Sequence, residues 1–386
     1  MVAAAACGAF GSSESAVALP DADADAADAG TGSDGAVSPD GAAACEPLDL
    51  SADCPAGRLR CEPGAGCEHD ALSDKNNCGV CGRVCELTCM NGGCAPFKLD
   101  DKGTSSGPHR AVGADATSAY WVTLDGTAWQ VPLDGGGTVG QGASIAGTGS
   151  FIDVAIDGDT FFLLSTGNVT RVTVGGQASN VVQGISATGR GRIVMDGERV
   201  YFTEGRDLGQ VGSVRKDAAG GLTALATAQH RPGDLVVGDG GIVFVNEAIA
   251  SATDGAILFA PAAQPGTALE KIPGLSQVGG LVAEGGVAFY TLLDKGEIWT
   301  FDLETFKPTL VIGGLAMTEH IAVDATYLYF TGAPTQNDTY GIYRVRRCGG
   351  RVTPVSTNTH GNATGIVLRD QYVYWSAGGA LYRTSK

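Results

Sequence analysis

Positive charge is scarce in this chain. Its 386 residues carry 25 Lys and Arg against 42 Asp and Glu, a formal net charge of −17 at pH 7. A nucleic-acid partner needs a basic footprint, so that class is excluded. Direct adsorption to acidic lipid is disfavoured for the same reason. No run of about 18 apolar residues occurs, so no transmembrane span is expected. Helical periodicity is nearly missing: Gly supplies 59 residues, and few apolar runs keep a period of about 3.6. A Gly-x-Ser-x-Gly elbow is not expected, and no His-Glu-x-x-His and no Walker loop is present. Patches such as Gly135-Gly-Gly137 and Gly238-Asp-Gly-Gly241 read as turns between strands, since no helix follows to hold a phosphate. Histidine is rare, with five in all.

What the chain does have is a repeat. A short apolar strand, an Asp or Gly turn, an aromatic pair and a second turn recur seven times. Tyr120, Phe162, Tyr201, Val243, Phe289, Tyr329 and Tyr374 mark equivalent points, spaced 42, 39, 42, 46, 40 and 45 residues apart. Strand-built periods of about 40–45 residues belong to propellers rather than helical solenoids. One unit reads clearly: Ile321-Ala-Val-Asp324, then Tyr327 to Thr331, Ile342 to Arg346, and Arg351 to Val355. Four short strands make one blade, and no blade can bury both faces alone, so the ring must close. The expected fold is all-β: a seven-bladed β-propeller of four-stranded blades over 95–386, with seven repeats in 110–386. The last repeat ends one strand short, and Ala95-Pro-Phe-Lys-Leu99 lies where a fourth strand would sit. Residues 95–103 are therefore expected to complete the last blade, removing two exposed edges.

The region before the ring has three parts. Residues 1–10 contain Met1-Val-Ala-Ala-Ala-Ala-Cys7-Gly8, and residues 11–44 hold seven acids and no Lys or Arg. One sign of charge and low hydropathy predict a disordered acidic tether there. A calcium loop would also use alternating Asp and Gly, but its spacing and closing Glu are missing. Residues 45–94 hold nine cysteines: Cys45, Cys54, Cys61, Cys67, Cys78, Cys81, Cys85, Cys89 and Cys94. Few large apolar side chains accompany them, so a small module stapled by disulfides is expected. Cys348 makes the number even, which points to a disulfide between this stalk and the ring. Zinc at Cys78 and Cys81 competes, but the cysteines crowd too closely for two separated ligand pairs. A thioredoxin-like role for that pair lacks its βαβ setting.

Three resemblances follow. Ala-Ala-Ala-Cys7-Gly8 resembles the end of a bacterial lipoprotein signal, which implies lipidation of Cys7 and anchorage in the cell envelope, as an outer-membrane lipoprotein, or else secretion. Asp74-Lys-Asn-Asn-Cys78-Gly-Val-Cys81-Gly-Arg-Val-Cys85 resembles the cysteine-rich phrase of Stig1-like modules, also seen in secreted proteins of myxobacteria. Tyr120-Trp121-Val-Thr and Trp129-Gln-Val-Pro-Leu-Asp-Gly-Gly136 resemble YWTD-type and NHL-like propellers, although YWTD rings typically have six blades.

Function is less determined than fold. The leading expectation is a non-enzymatic surface protein that binds or scaffolds a protein or glycan ligand, with no cofactor. The alternative is an exported lyase or hydrolase. His109, His230, His320 and His360 each come shortly before a repeat's first strand, where loops ring the channel mouth. His109, His320 and His360 belong to contiguous blades and could form a catalytic or transition-metal site, helped by Glu319 and Asp234. A third expectation is a structural part of an extracellular assembly. Asp115, Asp157, Asp196, Asp239 and Asp324 read as turn residues that satisfy backbone donors. Arg171, Arg215, Arg344 and Arg383, on third strands, read as edge or solvent-facing residues.

Overall fold

The structure is a computed structural model. It describes residues 54–386 apart from 63–64, 101–108, 124–127, 134–150, 158–159, 174–177, 218–220, 248–253, 361–362 and 364. The expected tether at 11–44, with Cys7 and Cys45, lies outside those residues.

Each repeat folds into one antiparallel sheet, and the seven sheets are the blades of a propeller. Blade six shows the pattern: Ile321–Val323, Tyr327–Gly332, Gly341–Arg346 and Gly349–Ser356, in that order from inside to outside. Blades two to five have the same four strands in the same order. Blade one shows three, His109–Ala114, Ser118–Thr123 and Ala128–Pro132. The first strands of successive blades touch in a closed circle, blade seven returning to blade one. The outer place in blade seven is taken by Phe97–Asp100, which pairs antiparallel with Ala380–Ser385. The ring thus closes with a strand from before its first repeat, which covers Ala380–Ser385 and gives the last blade the same four strands as blades two to six.

The repeat works because strand residues alternate in facing. Each marker packs toward the next blade and the residue after it toward the preceding one, so one aromatic pair serves two seams. Tyr329 joins the seam between blades six and seven, while Phe330 joins that between five and six. Seven apolar clusters result, one per seam. Trp121, Phe202, Phe244, Phe330 and Trp375 are each 0% exposed. Three of the five turn aspartates, Asp115, Asp196 and Asp324, are seen to act as expected. Oδ1 of Asp196 accepts the amides of Glu198 and Arg199 at 2.8 and 2.7 Å, and Asp115 and Asp324 do likewise. The other carboxylate oxygen adds a link not foreseen: it accepts the marker hydroxyl, Tyr120 onto Asp115 at 2.5 Å and Tyr201 onto Asp196 at 2.6 Å.

One expectation is corrected. Arg171 and Arg215 are exposed, but Arg344 and Arg383 are 6% and 5% exposed. Arg344 stacks over Tyr327 at 4.4 Å, and Arg383 over Tyr372 and Phe97 at 4.7 and 5.0 Å. A planar guanidinium can be buried against aromatic faces where an ammonium could not.

The stalk is held by Cys54–Cys67, Cys61–Cys81, Cys78–Cys89 and Cys85–Cys94. Cys348 is also disulfide-bonded, and its partner is outside the described residues. The stalk is docked on the ring. Arg83, only 4% exposed, donates to the carbonyls of Pro354 and Val355 in the outer strand of blade six. Arg383 of blade seven makes a two-pronged contact with Glu86, at 2.6 and 3.0 Å.

Candidate functional site

The four loop histidines do not converge among the described residues. His230 ends the outer strand of blade three and is exposed. His360 is exposed, has a left-handed backbone (φ 57°) and stacks on Tyr382 at 4.8 Å. The side chain of His109 is outside the described set. His320 alone lies enclosed at the channel mouth, and its neighbours are not histidines.

Those neighbours follow from the repeat. The residue nine places before each marker stands at the same point, the entry of the inner strand. Around the ring these are Ala111, Asp153, Arg192, Asp234, Gly280, His320 and Gly365. In blades three and six this point is fixed identically. Thr203 and Thr331 accept the amides of Arg192 and His320 with their hydroxyls, at 2.9 and 3.1 Å, and donate their own amides to the carbonyls of the same residues. In blades two and four the Asp side chain reaches forward to the next inner strand. Asp153 accepts the amide of Ile193, and Asp234 that of Leu281, both at 3.0 Å. Four polar side chains from blades two, three, four and six therefore face one space.

Their charges are coupled. Arg192 Nε donates to Asp234 Oδ1 at 2.7 Å, and both side chains keep partial solvent access, 34% and 24%. Burial works against the Arg192 charge, but Asp234 and Asp153 outweigh it and its proton is held more tightly. Burial pushes Asp153 up to about 6, against the pull of Arg192 and two amides. Burial and then the Arg192 cation push His320 down to about 4, so the imidazole is neutral at pH 7. The Ala363 backbone beside the ring works the other way, but more weakly. Two titratable groups moved in opposite directions within one cleft are a mark of acid–base sites.

Blade five packs closely at this point: a Cβ on Gly280 would lie 2.8 Å from a methyl of Ile321, nearer than side chains pack, and 3.7 Å from Asp234 Oδ2. Of the two helpers named from the sequence, Asp234 meets this point with its carboxylate, whereas Glu319 meets it with its backbone carbonyl and is an exposed residue. Asp153 and Arg192 were not foreseen, though their offset from the marker identified them. The expectation that the sequence holds no Gly-x-Ser-x-Gly elbow is also corrected: Gly103-Thr-Ser105-Ser-Gly107 fits that pattern. It lies outside the described residues, and the element after it is the strand His109–Ala114 rather than a helix.

Metal chemistry has a different candidate. The sulfurs of Cys78, Cys85 and Cys94 lie within 4.8 Å of one another and are buried, the one such ligand group among the described residues. All three are in disulfides, with Cys89 as the fourth partner. Thiolates bind soft ions and disulfide sulfurs do not, so this cluster is a metal site only when reduced.

No family model matches the chain, and no curated protein matches it. Solved structures do. Selenomethionine-substituted virginiamycin B lyase from Staphylococcus aureus aligns over 76% of this chain and 98% of its own, with 13% identity and a TM-score of 0.60. YCF48 from Cyanidioschyzon merolae aligns over 75% and 99%, with 15% identity and a TM-score of 0.56. PorZ, an essential bacterial surface component of the type-IX secretion system of Porphyromonas gingivalis, aligns over 75% of this chain and 37% of its own, with 13% identity and a TM-score of 0.52. At these identities the likeness is one of fold, shared by a lyase and by propellers named for other roles.

Proposed function

We propose that this chain is an exported propeller lyase or hydrolase that works by acid–base chemistry at the channel mouth. The observation that carries this reading is the neutral His320 facing the same space as the Arg192–Asp234 ion pair and Asp153. The free imidazole nitrogen takes a proton, from a ligand carbon in an elimination or from water in a hydrolysis. Arg192 offsets the negative charge that develops on the departing oxygen. The guanidinium also argues against a histidine-bound metal here, since a divalent ion would be repelled by it.

The test uses quinupristin, which accompanies a catalytically inactive histidine-to-alanine variant of virginiamycin B lyase in a solved structure, and a series of p-nitrophenyl esters. Product is read by mass spectrometry and absorbance. Turnover should fall about 10²–10⁴-fold in His320→Ala with the melting temperature kept near wild type. Equal turnover in both proteins would sink the reading.

A second reading is a non-enzymatic surface binding or scaffolding protein for a protein or glycan ligand. It is favoured by the stalk docked on blades six and seven, which presents ring and stalk as one rigid face. Pull-down from envelope fractions with the stalk and ring together tests it. A structural role in an extracellular assembly is the weaker form of this reading, because the closing strand occupies the edge a second chain would use. In either case we place the protein at a bacterial cell envelope, lipidated at Cys7 and spaced by the acidic segment, with a Stig1-like stalk of the myxobacterial kind and a YWTD- or NHL-like ring. Palmitate labelling lost in Cys7→Ser is the expected result.

A further inference from the structure

The cysteines leave one pairing open. Eleven are present, and the four stalk disulfides take eight of them. Cys348 is also in a disulfide. Within the chain its partner is therefore Cys45 or Cys7.

Two observations choose between them. Cys45 belongs to the same compact unit as stalk and ring, Cys45–Lys386, whereas Cys7 lies in the separate unit Met1–Ala44. Cys45 is also nine residues from Cys54, where the described stalk begins, and Cys7 is 47 residues from it. The local concentration of one chain end at the other falls with about the 3/2 power of the length between them, so Cys45 meets a fixed thiol on the ring about tenfold more often. Reach is no obstacle. Nine residues extend to about 30 Å, and the outer strand of blade six, Gly349–Ser356, is about 25 Å long.

The place of Cys348 gives this bond a consequence. It sits in the turn between the third and fourth strands of blade six, where the Arg347 amide donates to the Thr326 carbonyl at 3.1 Å. His320 lies at the other end of the same blade, paired with Thr331. The six-residue strand Tyr327–Gly332 runs between the two ends, which are about 17 Å apart. The stalk already grips the outer strand at the mouth end. Arg83 donates there to the carbonyls of Pro354 and Val355, and the Thr357 hydroxyl donates to the Met90 carbonyl at 3.4 Å.

We infer that Cys45 is bonded to Cys348, and that the chain before the first repeat is fastened to blade six at both ends of its outer strand. The far end is covalent and the mouth end is held by hydrogen bonds. In forming the bond the two thiols give two protons and two electrons to an external disulfide, which leaves as two thiols. The acidic segment is thereby joined to the ring at the end of blade six away from His320. Cys7 is left as the odd cysteine, which its lipidation requires. None of this depends on the acid–base reading of the mouth.

The test is peptide mapping of the full chain, made in an oxidising compartment, alkylated and digested without reduction. Trypsin puts Cys348 alone on residues 348–351, and cleavage before Asp puts Cys45 alone on residues 40–48 and Cys7 within residues 1–20. The expected product is 40–48 joined to 348–351, with Cys7 alkylated or lipidated. Residues 1–20 joined to 348–351 would overturn the assignment, as would an alkylated Cys348 or two copies of 348–351 joined together. Cys348→Ser should then expose one new thiol, on 40–48, and a Cys45 that stays unalkylated in that variant also overturns it. Hydrogen exchange on the same variant tests the second fastening. Residues 78–94 should keep their protection because Arg83 still holds the mouth end, and loss of protection across them would mean that the covalent end alone holds the stalk.

Discussion

Stalk and ring build their interiors from opposite materials. In the stalk the buried centre is sulfur: Cys78, Cys85 and Cys94 are 0–1% exposed, while Leu72 and Val84 stand out at 50% and 54%. In the ring it is carbon, with a Trp or Phe sealed in nearly every seam and no disulfide among the four described pairs. A segment of some fifty residues cannot remove enough apolar surface from water to offset its chain entropy, and covalent links take over that task. The ring has length enough to use burial alone. The two should therefore fail differently, the stalk by reduction and the ring by truncation of a large side chain.

The sharpest test of the ring's half is Trp375→Ala. It empties the seam between blades six and seven and should destabilise by about 3–5 kcal/mol. Urea unfolding followed by intrinsic fluorescence at another tryptophan would show whether one seam unfastens the whole ring or a single blade. For the stalk, the double change Cys78→Ser with Cys89→Ser should lower stability by about 2–4 kcal/mol. Proteolysis should then cut within 54–94 and spare blades two to five. A ring that unfolds along with the stalk would break the comparison.

The dock is where the two materials meet. Arg83 is buried and forms no ion pair with a carboxylate among the described residues, and burial together with the Arg344 cation pushes its pKa down to about 9. It is held by two outer-strand carbonyls of blade six. Arg83→Ala strands those carbonyls and should cost about 1–3 kcal/mol. Hydrogen exchange should rise in 78–94 and in Gly349–Ser356 while the far blades keep their protection. Equal exchange everywhere would mean that the disulfides alone fix the stalk.

Blade number and closure were legible because each repeat carries its own turn and aromatic pair, and because the last repeat is visibly one strand short. The burial of Arg344 and Arg383 was not legible. A guanidinium on a third strand looks the same in sequence whether it meets water or the Tyr at the start of the second strand. The site was half legible. Histidines were chosen by residue type, and three of the four fell at varied offsets from the marker. The fixed offset of nine picks out Asp153, Arg192, Asp234 and His320 together, since position in a blade decides which way a side chain faces. The disulfide pairing needed coordinates, because parity of the cysteines says nothing of which lie within reach.

The smallest effect sharpens the contrast inside the ring, between its apolar seams and its polar mouth. Asp153 titrates near 6 when folded, above its unfolded 3.8, so its native charge is unfavourable above pH 6 and that loss disappears as pH falls toward 4. His320 titrates near 4 when folded, below its unfolded 6.5, so its stability is present above pH 6.5 and is lost as pH falls toward 4. The two slopes oppose each other between pH 4 and 6 and nearly cancel in wild type. Removing one exposes the other. Measured against wild type by chemical denaturation, Asp153→Asn should gain ground as pH rises from 4 to 8. His320→Gln should gain ground as pH falls over the same range, each change on the order of 1–2 kcal/mol after solvent screening. Two variants whose differences from wild type stay flat with pH would mean that the mouth is wetter than its enclosure implies, and that neither group is tuned.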